Sequence, residues 1–251
     1  MPRPCTGPLV INLPLEPPSG ERKEAMTTDE VIARLRAFAN PEDVAGMARF
    51  GINPENTYGI SIPVLRKLAR EIGRDHLLAE RLWSTGVHEA RILASMVDEP
   101  RLVTEGQMER WAADFDSWDV CDQCCGNLFD KTEFAYRKAV EWAARDEEFV
   151  KRAGLALMAW LAFHDKRAPD EAFLAFLPAI KRESADGRNY VKKAVNWALR
   201  QIGKRNAALN ILAVETAKEI QATGSKPGRW IASDALRELT GAKLRERLGA
   251  R

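Results

Sequence analysis

The sequence predicts an all-α fold, a curved solenoid of antiparallel helix pairs, and three observations support this. Apolar residues recur at helical spacing from residue 27 almost to the C-terminal end, in segments bounded by capping residues, glycines or prolines. No stretch of four or more residues alternates convincingly in polarity over β-branched side chains, as a half-buried strand would. Short segments also recur at a spacing of about 40 residues, which is typical of stacked helix pairs.

The helices are predicted in order from their caps and breakers. Thr28 or Asp29 can cap a first amphipathic helix that ends at Ala39. Pro41 begins the second helix and Pro63 the third, because proline fits the first position of a helix. Glycine and Asn-Pro breakers predict a loop between these two helices. The complete set of predicted helices is 28–39, 41–50, 63–72, 75–84, 88–97, 105–114, 116–129, 133–145, 147–164, 169–183, 188–204, 206–222, 227–239 and 241–248.

Two internal matches support the repeat. Phe149-Val-Lys-Arg-Ala matches Tyr190-Val-Lys-Lys-Ala at an offset of 41, and Ala198-Leu-Arg-Gln-Ile matches Ala235-Leu-Arg-Glu-Leu at an offset of 37. A period of about 40 residues is typical of HEAT-like and armadillo-type arrays, whose concave face binds partners. Because the matches are short, an irregular helical bundle is the alternative.

Residues 1–25 differ in composition from the rest, since they carry six of the thirteen prolines. We predict a disordered leader there, with Met26 as an alternative start, and a single HEAT-like domain over 26–251. No basic segment followed by an apolar run indicates a signal peptide. The longest apolar stretch, 153–163, is shorter than the ~18 residues of a membrane helix. We therefore expect a cytoplasmic protein without membrane attachment, and a monomer, because a solenoid closes its core without a partner.

The overall charge conceals two oppositely charged segments. With 38 Lys+Arg and 36 Asp+Glu, the net charge is +2, which gives no global indication of nucleic-acid binding. Residues 98–122, however, hold eight acidic and two basic side chains, and residues 188–205 hold six basic and no acidic ones. The hydrophobic content of 45% and charged content of 29% are those of a globular protein, and exclude collagen-like, mucin-like and fully disordered classes.

Helix 188–204 carries a cationic face with an aromatic ring in its centre. Its apolar residues form one stripe, and Lys193, Trp197, Arg200 and Lys204 cluster on the opposite side. An exposed indole among cations suits contact with a sugar or base while the cations hold phosphates. The alternative is that Trp197 packs against a neighbouring repeat and the cations are merely solvated.

Helix 147–164 places Arg152 opposite its own apolar stripe. Arg152 is equivalent to Lys193 in the match at an offset of 41. Two successive repeats would then present a cation at the same place, which suits a solenoid that follows a phosphate backbone.

Helix 116–129 places an aromatic ring beside a carboxylate. Trp118 and Asp122 are four residues apart and therefore share one flank of the helix. Such a pair can stabilise a cationic, sugar-like transition state and orient a water molecule. The alternative is a solvent-facing Asp122 beside a half-buried Trp118. A carboxylate that faces anionic DNA would weaken binding, so its presence there would indicate catalysis.

The cysteines predict no metal site. Cys121, Cys124 and Cys125 lie on one helix, where adjacent sulfurs point ~100° apart. The three histidines, at positions 76, 88 and 164, are not at ligand spacing from them. Buried free thiols are therefore expected, as in a reducing compartment. No phosphate loop, dinucleotide-binding fingerprint or Ser-His-Asp elbow occurs in the sequence.

A set of segments, taken in order and spacing, points to a known family. The segments are Met47-Ala-Arg-Phe, Gly59-Ile-Ser-Ile-Pro-Val-Leu-Arg, Leu82-Trp, His88-Glu-Ala-Arg, Ser117-Trp-Asp-Val-Cys-Asp, Val150-Lys-Arg-Ala and Lys193-Ala-Val-Asn-Trp-Ala-Leu-Arg. In these residues the chain resembles the AlkD-type DNA alkylation repair glycosylases, from about Met26 to Leu248.

The resemblance implies a HEAT-like solenoid that binds duplex DNA on its concave face. It implies hydrolysis of the N-glycosidic bond of cationic N3- and N7-alkylated purines without metal or cofactor. The catalytic carboxylate falls on Asp122, and the tryptophans that contact the deoxyribose fall on Trp118 and Trp197. The phosphate-contacting arginine falls on Arg152. Matches to DNA-contacting or basic positions are also implied for Phe50, Arg200 and Lys204.

One departure concerns Phe50, which stands where active members can carry a tyrosine that contacts DNA. Loss of that hydroxyl removes about one hydrogen bond, ~0.5–1.5 kcal/mol, so weakened function is expected. Two other functions stay open: a non-catalytic HEAT protein that binds distorted duplex DNA, and a protein-interaction solenoid. The DNA-directed hypotheses require Trp118, Asp122, Arg152 and Trp197 to converge on one concave cleft.

Overall fold

The computed structural model describes residues 26–249, which form fifteen α-helices and a short 3-10 turn, Phe129–Lys131, with no strand among them. The predicted all-α class is therefore confirmed, and the predicted leader, 1–25, lies outside the described residues. The helices are α1 (Thr28–Ala37), α2 (Pro41–Arg49), α3 (Ile62–Ile72), α4 (His76–Ser84), α5 (His88–Val97), α6 (Glu105–Ala113), α7 (Trp118–Asn127), α8 (Ala135–Ala143), α9 (Glu148–His164), α10 (Asp170–Leu174), α11 (Leu177–Glu183), α12 (Asn189–Gly203), α13 (Ala207–Ala222), α14 (Lys226–Leu239) and α15 (Ala242–Gly249).

Side-chain caps decide where several helices begin. Thr27, one residue before the predicted cap, forms a capping box with Glu30 and begins α1. Asn40 caps α2 by accepting from the Glu42 amide, and Pro41 follows at the first helical position. Each cap satisfies backbone amides that have no partner within the helix.

The single helix predicted over 169–183 is wrong, because the chain forms α10 and α11 instead. Pro178 explains the break. Its nitrogen cannot donate to the Leu174 carbonyl four residues earlier, and its ring would clash there in a continuous helix. The break turns Phe173 and Phe176 into the core, where both rings lie near Tyr136, at centroid distances of 6.2 and 5.8 Å.

The helices stack as antiparallel pairs in a HEAT-like solenoid. An inner row consists of α3, α5, α7, α9, α12 and α14, each packed against the next. Behind it, α4 packs on α5, α8 on α9, and α13 on α14. Phe149 and Tyr190, equivalent in the internal match, begin α9 and α12, with ring centroids 5.5 Å apart. Because the inner helices lie side by side, residues at matching heights on α7, α9, α12 and α14 form one surface.

Helix α9 is buried on nearly all sides at the centre of this row. Every residue from 150 to 159 is buried. Gly154 permits the close approach of α8, since a Cβ there would lie 2.3 Å from the Ala143 backbone nitrogen. No helix within the described part of the chain is both long enough and apolar enough to cross a membrane.

Candidate active site

The inner helices α7, α9, α12 and α14 enclose a cleft of about 360 Å³. Five of the residues singled out in the sequence come together there, and three others complete the lining. The lining residues are Asp122, Arg152, Lys193, Asn196, Trp197, Arg200, Trp230 and Asp234.

A bidentate ion pair joins α7 to α9 at the cleft. Arg152 Nε donates to Asp122 Oδ1 at 2.9 Å, and Nη2 donates to Oδ2 at 2.7 Å. Arg152 Nη1 donates to the Tyr190 carbonyl of α12 at 2.7 Å. Only 7% of the Arg152 side chain and 15% of the Asp122 side chain are exposed. Arg152, which the sequence places opposite the apolar stripe of its helix, is therefore buried, because α9 packs against neighbours on both of its flanks.

The Asp122 carboxylate keeps a limited opening to the cleft. Burial raises the pKa of Asp122, while the charge and hydrogen bonds of Arg152 act in the opposite direction. A carboxylate can accept about four hydrogen bonds, and Arg152 uses two of them. The remaining lone pairs of the Asp122 carboxylate, together with the exposed part of its side chain, leave room for a water molecule or a sugar.

Trp118 lies against this ion pair at one end of the cleft. The Arg152 guanidinium carbon is 5.8 Å from the centre of the Trp118 ring. Trp118 Nε1 donates to the Phe50 carbonyl at 3.1 Å, which fixes the indole through the end of α2. The Phe50 ring itself is 76% exposed. Trp118 thus lies beside the Arg152 guanidinium that binds Asp122, and neither Trp118 nor Phe50 lines the cleft itself.

A second contact anchors the same turn after α2. The Tyr190 hydroxyl donates to the Gly51 carbonyl at 3.1 Å, so the turn is tied to α12 as well as to α7. Gly51 has a φ of +76°, and a Cβ there would lie only 1.7 Å from the Tyr190 hydroxyl. Glycine is required at this position on both counts.

Trp197 combines the two roles that the sequence left open. It is half-buried and packs edge-on against Trp160 of α9 at 5.3 Å, yet it also lines the cleft. Trp160 Nε1 donates to the Asp122 backbone carbonyl at 3.0 Å, and a Cβ on Gly126 would lie 2.4 Å from the Trp160 ring. Gly126 therefore makes room for an indole that connects Trp197 to Asp122.

The basic face of α12 is largely paired. Arg200 Nη1 donates to Glu238 Oε2 at 2.5 Å, and Lys204 Nζ donates to Glu238 Oε1 at 3.0 Å. Burial raises the pKa of Glu238, but these hydrogen bonds outweigh it, so the pKa is lowered. Lys193 is exposed and forms no ion pair with any residue of the described part. Lys204 lies outside the cleft and lines a separate cavity.

Sequence reasoning missed three lining residues: Asn196, Trp230 and Asp234. The buried Asn196 Nδ2 donates to Asp234 Oδ2 at 2.7 Å. Trp230 is 42% exposed, and the Lys192 ammonium lies 4.7 Å from its centre. The match at an offset of 37, extended by one residue, aligns Asp234 with Trp197 and could have indicated that α14 reaches the same surface.

The three described cysteines are buried free thiols, as predicted. Cys121 and Cys125 donate to backbone carbonyls of α9, and burial raises the pKa of Cys124 and Cys125. Between residues 26 and 249, no group of three or more His, Cys, Asp or Glu side chains could hold a metal ion.

Comparison with known proteins identifies a family and a related fold. The model of the family described as "DNA alkylation repair enzyme" matches residues 31–239. A solved structure described as "A new family of proteins related to the HEAT-like repeat DNA glycosylases with affinity for branched DNA structures" is 24% identical, with a TM-score of 0.69. That match covers 77% of this chain and 83% of the other, and it shows a common HEAT-like fold. A search of curated proteins found no match.

Proposed function

Because the chain belongs to the DNA alkylation repair enzyme family, we propose that it is a DNA glycosylase for alkylated purines in duplex DNA. It would hydrolyse the N-glycosidic bond of cationic N3- or N7-alkylated purines. The observation that supports the proposal is the cleft whose lining includes Trp197 and Asp122, a carboxylate largely withdrawn from water. Trp118 lies outside that lining, against the Arg152 guanidinium that binds Asp122.

The leaving base needs little assistance from the protein. An N-alkylated purine is already cationic, so it departs as a neutral base with the bonding electron pair and needs no general acid. The sugar then develops oxocarbenium charge, which the Asp122 carboxylate stabilises more strongly in a dry cleft than in water. Asp122 also orients the water that attacks C1′, and the proton of that water passes through the carboxylate to solvent.

Trp118 and Trp197 lie on either side of this carboxylate in the proposal. Each indole face can contribute ~0.5–2 kcal/mol of attraction to a cationic sugar. Lys193, which is exposed and unpaired among the described residues, would hold a phosphate. Arg200 and Lys204 both bind Glu238, and they would bind phosphates in its place.

The direct test is release of methylated purine from methylated duplex DNA without added metal. We expect Asp122→Asn to lower the release rate by about 10²–10³-fold, as for other electrostatic groups in active sites. Asp116→Asn is the matched control, because Asp116 is an exposed carboxylate just before α7. If the wild type releases no base, or if Asp122→Asn releases it at the wild-type rate, the proposal is wrong.

One observation favours a second function, non-catalytic binding of distorted duplex DNA. Both Asp122 oxygens bind Arg152, and this arrangement satisfies the carboxylate without a substrate. A protein of this kind would bind duplex DNA in a salt-sensitive manner, with affinity lost on Lys193→Ala, and release no base.

We also propose that residues 26–251 form one HEAT-like domain and that the protein is a cytoplasmic monomer. Sedimentation equilibrium tests the oligomeric state, since a monomer gives a mass near 28.1 kDa.

A further inference from the structure

A second and larger cavity lies beside the cleft, where the C-terminal ends of α9 and α12 meet α15. Its volume is about 710 Å³, within the range of ~300–1,000 Å³ that small ligands occupy. Of the residues that line it, the proposed function uses only Lys204, as a phosphate contact. Its lining residues are Ala162, Phe163, Lys166, Ala168, Asp170, Gln201, Lys204, Arg205, Asn206 and Arg247.

An aromatic ring forms part of the cavity wall. Phe163 is 51% exposed, although a phenyl ring is ordinarily buried, and the Lys166 ammonium lies 5.0 Å from its centre. Trp160 packs edge-on against Phe163 at 6.1 Å and edge-on against Trp197 at 5.3 Å. A continuous row of rings therefore leads from the cleft to the cavity.

The cavity is strongly cationic. Lys166, Lys204, Arg205 and Arg247 line it, against the single carboxylate of Asp170. Arg205 has a structural role, since it donates to carbonyls at the end of α9, and Asp170 accepts from the Asn206 amide. Arg247 is exposed, and within residues 26–249 its guanidinium donates only to the Lys204 carbonyl, at 3.3 Å. Arg247 is therefore placed to receive an anion, whereas the Lys204 ammonium is already paired with Glu238.

The side-chain amide of Gln201 also lines the cavity. Gln201 lies between Trp197 and Lys204 on α12, and its side chain forms no hydrogen bond with any residue in the described range. An amide offers both donors and an acceptor, so it can pair with the edge of any nucleobase. Ring, amide and cations together match the three parts of a nucleotide: base face, base edge and phosphate.

We propose that this cavity holds an unpaired nucleotide, with its base stacked on Phe163, its edge at Gln201 and its phosphate at Arg247. The inference rests on the proposed function only in taking DNA as the bound polymer. From Trp197 to Lys204, α12 rises about 10 Å, which is about three base steps along a strand. A strand that leaves the cleft single-stranded can therefore reach the cavity.

The test uses the full-length protein and unmodified DNA. Fluorescence anisotropy would measure the affinity for a blunt duplex, for the same duplex with a single-stranded oligo-dT tail, and for oligo-dT alone. We expect the tail to strengthen binding and Phe163→Ala to weaken tail and oligo-dT binding by about 5–150-fold, as loss of a base-stacking contact does. Phe163→Trp retains the gain, whereas Phe163→Leu, which keeps the bulk but not the flat ring, loses it.

The controls separate a local effect from a general one. Phe38→Ala removes an equally exposed ring, 51%, at the end of α1 and leaves tail binding unchanged. Equal affinities for tailed and blunt duplex in the wild type, or an unchanged tail gain in Phe163→Ala, would overturn the proposal. Tight binding of free dTMP that disappears in Phe163→Ala would assign the cavity to a free nucleotide and overturn the strand assignment.

This experiment is independent of base release. The glycosylase proposal fails if methylated duplex yields no free purine, whatever the tail does. The cavity proposal fails if the tail adds nothing, even when base release and blunt-duplex binding are normal.

Discussion

Removal of the Asp122 carboxylate leaves the buried Arg152 guanidinium without its anion. The free energy of unfolding is expected to fall as a result. Breaking a buried ion pair by removing one partner costs about 3–5 kcal/mol. The 15% exposure of Asp122 and the retained bond from Arg152 to the Tyr190 carbonyl reduce this to about 2–4 kcal/mol. At about 2–4 °C per kcal/mol for a domain of this size, Asp122→Ala is expected to lower Tm by about 4–16 °C.

The assay is thermal and urea unfolding of four proteins: the wild type, Asp122→Ala, Arg152→Met and the double variant. Arg152→Met replaces the guanidinium with an apolar side chain and leaves the Asp122 carboxylate without its cation. In the double variant neither charge is left unpaired. Its loss of stability is therefore expected to be smaller than the sum of the two single-variant losses by about 1–3 kcal/mol. A fall in Tm of less than about 2 °C for Asp122→Ala, with additive single and double variants, would refute the buried pair.

Three further predictions follow from other contacts. Burial lowers the pKa of His88, but the hydrogen bond and charge of Asp119 outweigh it, so the pKa lies above 6.5. The stability from this pair is therefore present below pH 6.5 and lost as pH rises through the raised pKa. Urea unfolding between about pH 6 and 8 should show a steeper loss in the wild type than in Asp119→Asn. Gly126→Ala pushes a Cβ against Trp160, so we expect ~1–3 kcal/mol of destabilisation by urea unfolding and slower base release; unchanged values for both would contradict the contact. Phe50→Tyr adds a hydroxyl to a ring that is 76% exposed, so unfolding should not change, while duplex affinity by anisotropy should rise about 2–12-fold; an unchanged affinity would exclude the missing hydroxyl as a DNA contact.

Helix periodicity predicted most helices because each one has a continuous apolar stripe and a recognisable cap or breaker. It failed between residues 170 and 183, where the apolar pattern continues across a break. The proline at position 178 was the available signal, since a proline inside a helical pattern ends or kinks the helix. Caps also moved by a residue, as at Thr27, because neighbouring Thr and Asp side chains offer equivalent acceptors.

Helical faces identified five of the eight residues that line the cleft, but they did not predict the environments of these residues. Arg152 lies opposite an apolar stripe, yet its side chain is buried. A helical wheel describes one helix and its single core, whereas α9 has a neighbour of the inner row on each side. A cation between two such neighbours is buried, and it then requires an anion, which Asp122 supplies.

The charge summed over sequence segments did not indicate which residues pair with each other, for a similar reason. The basic segment 188–205 and the acidic segment 98–122, both within the described residues, form no ion pair with each other. Instead, Asp234 and Glu238 of α14 pair with Arg200 and Lys204 across the stack. Neither carboxylate lies in either segment. In a solenoid, a side chain meets the residue about 38 positions further on, as Arg200 meets Glu238, so charge must be compared at the repeat offset rather than within a window.

The pairing of charges has a consequence for how DNA would be held. The cleft has three cations and two carboxylates in its lining, so it attracts a polyanion only weakly. The adjacent cavity has four cations and one carboxylate. Long-range attraction and salt dependence would then come from the exposed Lys193 and Arg247, while Asp122 and its neighbours act on the sugar once the strand is in place. This division removes the difficulty of a carboxylate that faces DNA, because the binding energy and the catalytic charge are supplied by different parts of α9 and α12 and their neighbours.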